Sequence, residues 1–154
     1  MSLEEQLLSF GLMVFAAVLG AIVGLERELK DKPAGLRTHA LVAASSALLI
    51  MVGPPLVEWY ARGEELQTIR NEPLSILQAI ILGVSFIGGG TIFKDKESKD
   101  VINLTTAATI LAAATLGILV GIRLYVLAVA TTFLLVLING GLIYLEGKAK
   151  SKRS

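Results

Sequence analysis

Glu26, Arg27 and Glu28 stand in succession after Gly24 and Leu25, at the end of a long uncharged run. A carboxylate at a lipid boundary is costly enough to be a candidate for function, and Glu26 could ligate a hard cation such as Mg2+. One carboxylate would suffice, because Mg2+ keeps most of its waters. Glu28 could not join it from a regular helix, since residues two apart face different sides. The competing reading is a solvated helix end in which Glu26 and Lys30 form an i,i+4 pair worth about 0.2–0.5 kcal/mol. Two further polar groups begin later apolar runs: Arg37, Thr38 and His39, then Asn103, Thr105 and Thr106. Thr38, Asn103 and Thr105 fall where helices start, so they either cap free N–H groups or also help the positive dipole end hold an anionic group. Arg37 would be the counter-charge of Glu26 or an anion binder. Gly88, Gly89 and Gly90 form the other suggestive cluster, just after Ser85. Each costs a helix about 1 kcal/mol against Ala. The helix is therefore read either as opening there to expose carbonyls, as ion-coordinating broken helices do, or as packing closely.

Several chemistries are excluded. There is no cysteine and a single histidine, so neither a thiolate site nor a zinc site within one chain can be built. His39 reads as a polar packing or pH-responsive residue. No paired intramembrane carboxylates and no Ser-His pairing at readable spacing are present, so no enzyme is expected. Nor is a cofactor, Mg2+ entering only as ligand or substrate. A net charge of +1 leaves no basic patch for nucleic acid.

The elements that position these groups come from the apolar runs. The chain is 54% hydrophobic, with a mean hydropathy of +0.71. Uncharged runs extend from Gln6 to Leu25, Thr38 to Val57 and Pro73 to Phe93, and a fourth from Val101 to Leu145 is broken only by Arg123. A span needs about 20 apolar residues, so each of the first three crosses once. The fourth would be about 68 Å long as one helix, so it crosses twice, turning at Gly121, Ile122 and Arg123. The reading is an all-α integral membrane protein, a single domain with helices near 6–25, 38–57, 73–93, 103–121 and 124–145, and a basic tail over 146–154. The first run is taken as a retained helix, because Glu4 and Glu5 stand where a signal peptide carries Lys or Arg.

Five crossings place Arg27, Lys30, Lys32, Arg37, Lys94, Lys96, Lys99, Lys148, Lys150, Lys152 and Arg153 on one side, eleven of fourteen basic residues. That side is cytoplasmic, with the N-terminus outside. The segment from Glu58 to Glu72, led by Trp59 and Tyr60, reads as an outer interfacial turn after a break at Pro54 and Pro55. A shift of 68 residues pairs Leu36, Thr38, Ala40, Ala44 and Leu48 with Leu104, Thr106, Ala108, Ala112 and Leu116. The first two helices and the next two would then be parallel repeats about an axis along the membrane normal. Small residues recur at Ala16, Gly20 and Gly24 and at Ala113, Gly117 and Gly121, which marks helix contacts. Asn139, in lipid, seeks another helix or a second subunit.

The run Gly24-Leu25-Glu26-Arg27-Glu28, then Pro33-Ala34-Gly35-Leu36-Arg37-Thr38-His39, then Leu104-Thr105-Thr106-Ala107-Ala108 after a Gly-rich helix, resembles the MgtC/SapB family. The second half departs from it: Gly83-Val84-Ser85-Phe86-Ile87-Gly88-Gly89-Gly90 replaces the family's G-I-G-F-L-G-A-G, and Asn103 stands where its G-L-T-T begins. An arginine ahead of the third apolar stretch has no clear counterpart. The cytoplasmic domain of larger members is matched only by the tail from Glu146 to Ser154.

The resemblance implies a multi-pass protein of the prokaryotic plasma (inner) membrane, tied to growth in low magnesium and, in pathogens, to survival inside host cells. Members have been labelled Mg2+ transporters and are also linked to regulation of other membrane proteins, including the proton-translocating ATP synthase. By position it carries over Glu26, Arg27, Glu28, Arg37, Thr38, Thr105 and Thr106. The expectation is a homodimer supporting Mg2+ homeostasis through a polar cytoplasmic mouth, as a transporter or as a non-transporting partner of a larger membrane complex. No Asp or Glu lies mid-membrane, which counts against a divalent-cation pathway.

Overall fold

The computed structural model describes residues 1–61, 72–94 and 100–151. Five helices carry the fold: α1 (Leu3–Glu28), α2 (Leu36–Ala61), α3 (Glu72–Thr91), α4 (Leu104–Gly121) and α5 (Tyr125–Ser151). Two short strands, β1 (Phe93–Lys94) and β2 (Val101–Ile102), pair antiparallel between α3 and α4. The first four helices are long and apolar enough to cross a membrane, and the apolar described part of α5, Tyr125–Gly140, is shorter. Their outward faces carry large apolar side chains such as Phe86, Val126 and Leu137, as lipid contact requires.

α1 opens on a capping box, in which Ser2 Oγ accepts from Glu5 N and Glu5 accepts in return from Ser2 N. α2 packs between α1 and α4, and small residues on both neighbours allow the approach. A Cβ at Gly20 would collide with the His39 carbonyl oxygen, and one at Gly24 would lie 2.7 Å from the Gly35 oxygen. On the opposite side a Cβ at Gly117 would collide with the Ala43 carbonyl oxygen, and one at Gly121 would meet Ile50 at 2.8 Å. Backbones this close gain dispersion contacts that lipid tails cannot match. One apolar cluster, including Leu19, Val23, Leu116 and Val120, sits among α1, α2, α4 and α5; another, including Ile80, Val84 and Ile110, ties α3 to α4.

Three expectations are corrected. α3 does not open at Gly88–Gly90 but stays helical to Thr91, whose Oγ1 donates to the Gly88 carbonyl at 2.7 Å. Backbone groups freed in lipid would find no water, and that cost exceeds the weak helix propensity of glycine. Gly88 rests on Ala107 at ordinary contact, while Gly89 and Gly90 face no neighbour within 4 Å. α2 likewise continues through Pro54 and Pro55 to Ala61 instead of breaking there. Neither proline can donate back along the helix, yet a membrane helix tolerates this where the rest of its ladder is intact. Asn103 does not cap α4: it adopts left-handed backbone (φ 66) and its Nδ2 donates to the Thr91 carbonyl at 3.2 Å, joining the end of α3 to the start of α4. The interfacial turn expected over Glu58 to Glu72 falls largely outside the described residues, as do Lys96, Lys99 and the last residues of the basic tail.

Candidate functional site

At one end of the bundle α1 finishes, α2 and α4 begin, and α5 passes alongside. Here the charged groups are drawn inward. Arg27 is 2% exposed, and its Nη2 donates to Thr106 Oγ1 at 2.9 Å, so the last turn of α1 is fastened to the first turn of α4. Its Nε is buried without a hydrogen-bond partner among the described residues. Burying a guanidinium is tolerable only with strong compensation, which makes this arginine the most unusual group among the described residues.

The two carboxylates flanking Arg27 are engaged elsewhere. Glu26 pairs with Lys30 one turn on, and Lys30 Nζ also donates to the Asn139 carbonyl oxygen at 2.7 Å, so the pair spans α1 and α5. Neither Glu26 oxygen makes a hydrogen bond of good geometry, although the carboxylate lies within electrostatic reach of Arg27. Glu28 points the other way: its Oε2 accepts from the Leu36 backbone N–H at 2.8 Å, capping α2 from a different helix. The close seat of Gly35 against Glu28 permits this reach, since a Cβ at Gly35 would lie 2.7 Å from Glu28 Oε2.

His39 is fully buried, and its Nδ1 lies 2.8 Å from the Gly35 carbonyl. A carbonyl can only accept, so Nδ1 carries the hydrogen; in the neutral ring Nε2 is then a bare acceptor, and it has no partner among the described residues. Asn139 is buried at 7% exposure, with Nδ2 unpartnered among the described residues. The side chain is therefore buried within this chain's own bundle, the helix-facing alternative of the two expected for it.

The sequence candidates therefore separate. Glu26, Arg27, Thr106 and Asn139 are linked through α1, α4 and α5, and His39 is buried on the adjoining turn of α2. Arg37 and Thr105 are exposed and Thr38 is half-buried. Arg37 makes no ion pair with Glu26, which takes Lys30 instead. Lys30 and the capping role of Glu28 are what sequence reading underweights. The i,i+4 spacing of Glu26 and Lys30 is the one readable signal for the first. Among the described residues no three His, Asp or Glu side chains cluster closely enough to hold a metal ion.

A family model described as the MgtC family matches residues 13–148. The chain belongs to the MgtC family. Relatives include Protein SapB of Bacillus subtilis, 41% identical over 71% of this chain and 46% of that protein. Protein SrpB of Synechococcus elongatus is 38% identical over 96% of this chain and 81% of its own length. Protein MgtC of Salmonella typhimurium is 33% identical over 89% of this chain and 54% of its own. The chain spans about half the length of the SapB and MgtC relatives. No solved structure matches it. Four long apolar helices together with MgtC family membership mark a multi-pass membrane protein.

Proposed function

We propose that this MgtC family member is a non-enzymatic protein of the prokaryotic plasma membrane that supports Mg2+ homeostasis by acting on another membrane complex, and does not itself conduct the ion. The observation that carries the reading is the engagement of Glu26 by Lys30. The carboxylate best suited to Mg2+ already faces an ammonium, and a hard cation would have to displace it while finding further oxygen ligands. The close backbone seams at Gly20, Gly24, Gly117 and Gly121 also leave the α1–α2–α4 interior tightly packed.

We assign the polar end to the cytoplasm because Arg27, Lys30, Lys32, Arg37 and Lys94 stand at or beside that end of the helices in sequence, and basic residues accumulate on the cytoplasmic side. In that frame Thr38 and Thr106 occupy matching places in a parallel repeat, and the membrane complex acted on is of the kind the family resemblance suggests, such as the ATP synthase. A homodimer is the oligomeric state proposed. Mg2+ transport is the second reading, favoured by one observation: Glu26 Oε2 is buried and accepts no hydrogen bond among the described residues.

The test is Mg2+ entry into liposomes holding purified protein and an internal Mg2+ dye, run beside growth in low Mg2+ of cells that depend on the chain. Growth support with no flux above empty liposomes agrees with the regulatory reading. Flux that Glu26→Gln abolishes, in a variant that remains folded, overturns it in favour of transport.

A further inference from the structure

Two positive centres meet at Thr106. Arg27 brings a guanidinium to the first turn of α4, where the unsatisfied N–H groups and the helix dipole already place positive charge. Only a neutral hydroxyl lies between them. Neither flanking carboxylate hydrogen-bonds the guanidinium: Glu26 pairs with Lys30 and lies only within electrostatic reach of Arg27, and Glu28 accepts from the Leu36 N–H. Asn103, the residue best placed to cover the end of α4, turns its side chain to Thr91 instead. Arg27 Nε, in a residue only 2% exposed, is left with a hydrogen and no acceptor among the described residues.

We propose that Arg27, Thr106 and the first turn of α4 bind a phosphate oxyanion. The donor set suits that chemistry. A guanidinium offers its planar fork, a helix N-terminus offers convergent N–H groups, and Thr106 keeps its own hydroxyl hydrogen to donate while it accepts from Arg27. A tetrahedral oxyanion can take bonds from all three at once, and its charge offsets both positive centres. The position suits it also, because Arg27 lies at the end of an apolar span, the depth of lipid headgroups. The phosphate is thus either a phosphodiester of an anionic lipid or free inorganic phosphate. The assignment stands apart from the Mg2+ reading, since it rests on the Arg27 Nε–H that has no acceptor among the described residues, beside the start of α4, and not on Glu26 as a ligand.

The experiment uses the full chain in nanodiscs. In phosphatidylcholine discs and chloride buffer, inorganic phosphate is titrated by calorimetry; in a second arm phosphatidylglycerol is introduced and its retention by the protein is read by native mass spectrometry. Saturable binding in either arm is expected, weakened at least tenfold by Arg27→Gln and at least threefold by Thr106→Val, and unchanged by Lys32→Gln, which removes an exposed charge from the same end. Binding in the phosphate arm assigns the free ion, and binding in the lipid arm assigns the headgroup. No saturable binding in either arm overturns the proposal, as does equal binding by the native chain and Arg27→Gln. If Arg27→Gln does not fold, Thr106→Val decides: binding indistinguishable from native overturns the site.

Discussion

Arg27 Nη2 donates to Thr106 Oγ1 at 2.9 Å across seventy-nine positions of sequence, and this bond joins the end of α1 to the start of α4. Both side chains are almost wholly buried. Hydrogen bonds to charged groups are worth about 1.5–3 kcal/mol, and more is lost when the charge is left behind without a partner.

Thr106→Val is therefore expected to destabilise the protein by about 1.5–3 kcal/mol. Arg27→Met removes charge and partner demand together, so the double variant should lose less than the sum of the two single losses. Denaturant unfolding of the four proteins in one detergent checks this. Additive losses would mean that the two side chains are not energetically coupled.

The glycines divide into two classes by what surrounds them. Gly117→Ala would drive a methyl group into the Ala43 backbone oxygen, and Gly20→Ala into that of His39, neither of which can swing aside as a flexible side chain would. Both should force α2 away from its neighbour and cost several degrees in Tm. Gly83→Ala and Gly89→Ala meet nothing within 4 Å, and neither should lower Tm. Thermal unfolding of the four variants should separate the two classes.

The sequence showed the helices more fully than their junctions. Uncharged runs long enough to span a bilayer survive any rearrangement of neighbours, so α1 to α4 could be placed within a few residues of where they lie. Pro54, Pro55 and Gly88–Gly90 misled for one shared reason. Propensities describe a helix that can open into water, and inside lipid the opened backbone has no such alternative. At the polar end, residue types were readable but pairings were not. Glu26 had two cations within plausible reach, Lys30 and Arg37, and only the helical register of α1 with the packing of α5 selects Lys30. Asn103 looked like a cap by type; its left-handed backbone, invisible in the sequence, carries the side chain away. The burial of Arg27 goes with its long-range contact to Thr106 on α4 and had no local signal.

Glu28 is predicted to govern the start of α2. Its carboxylate takes the Leu36 N–H, one of the donors that a helix start leaves unsatisfied. Glu28→Ala should fray that first turn at a cost of about 0.5–2 kcal/mol, the range for losing an N-cap acceptor. Hydrogen exchange at Leu36, Arg37 and Thr38 should quicken while exchange deep in α2 stays slow. Glu28→Asp should not rescue it, because the shorter side chain cannot span the same gap from α1. Full protection in Glu28→Ala would show that the cap is not needed.

Lys30 joins two partners on different helices, Glu26 on α1 and the Asn139 carbonyl on α5. Lys30→Met keeps the apolar stem but removes the ammonium, so Glu26 loses its ion-pair partner and keeps only the electrostatic reach of Arg27. Two consequences follow from that one loss. The α1–α5 contact should loosen, seen as faster proteolysis of α5, and Glu26 should become available to an added cation, seen as stabilisation by millimolar Mg2+ that the native chain lacks. Lys30→Met with Glu26→Gln should lose the Mg2+ response while keeping the looser α5. A native chain that Mg2+ stabilises as strongly as Lys30→Met would show that the ammonium does not stand in the ion's way.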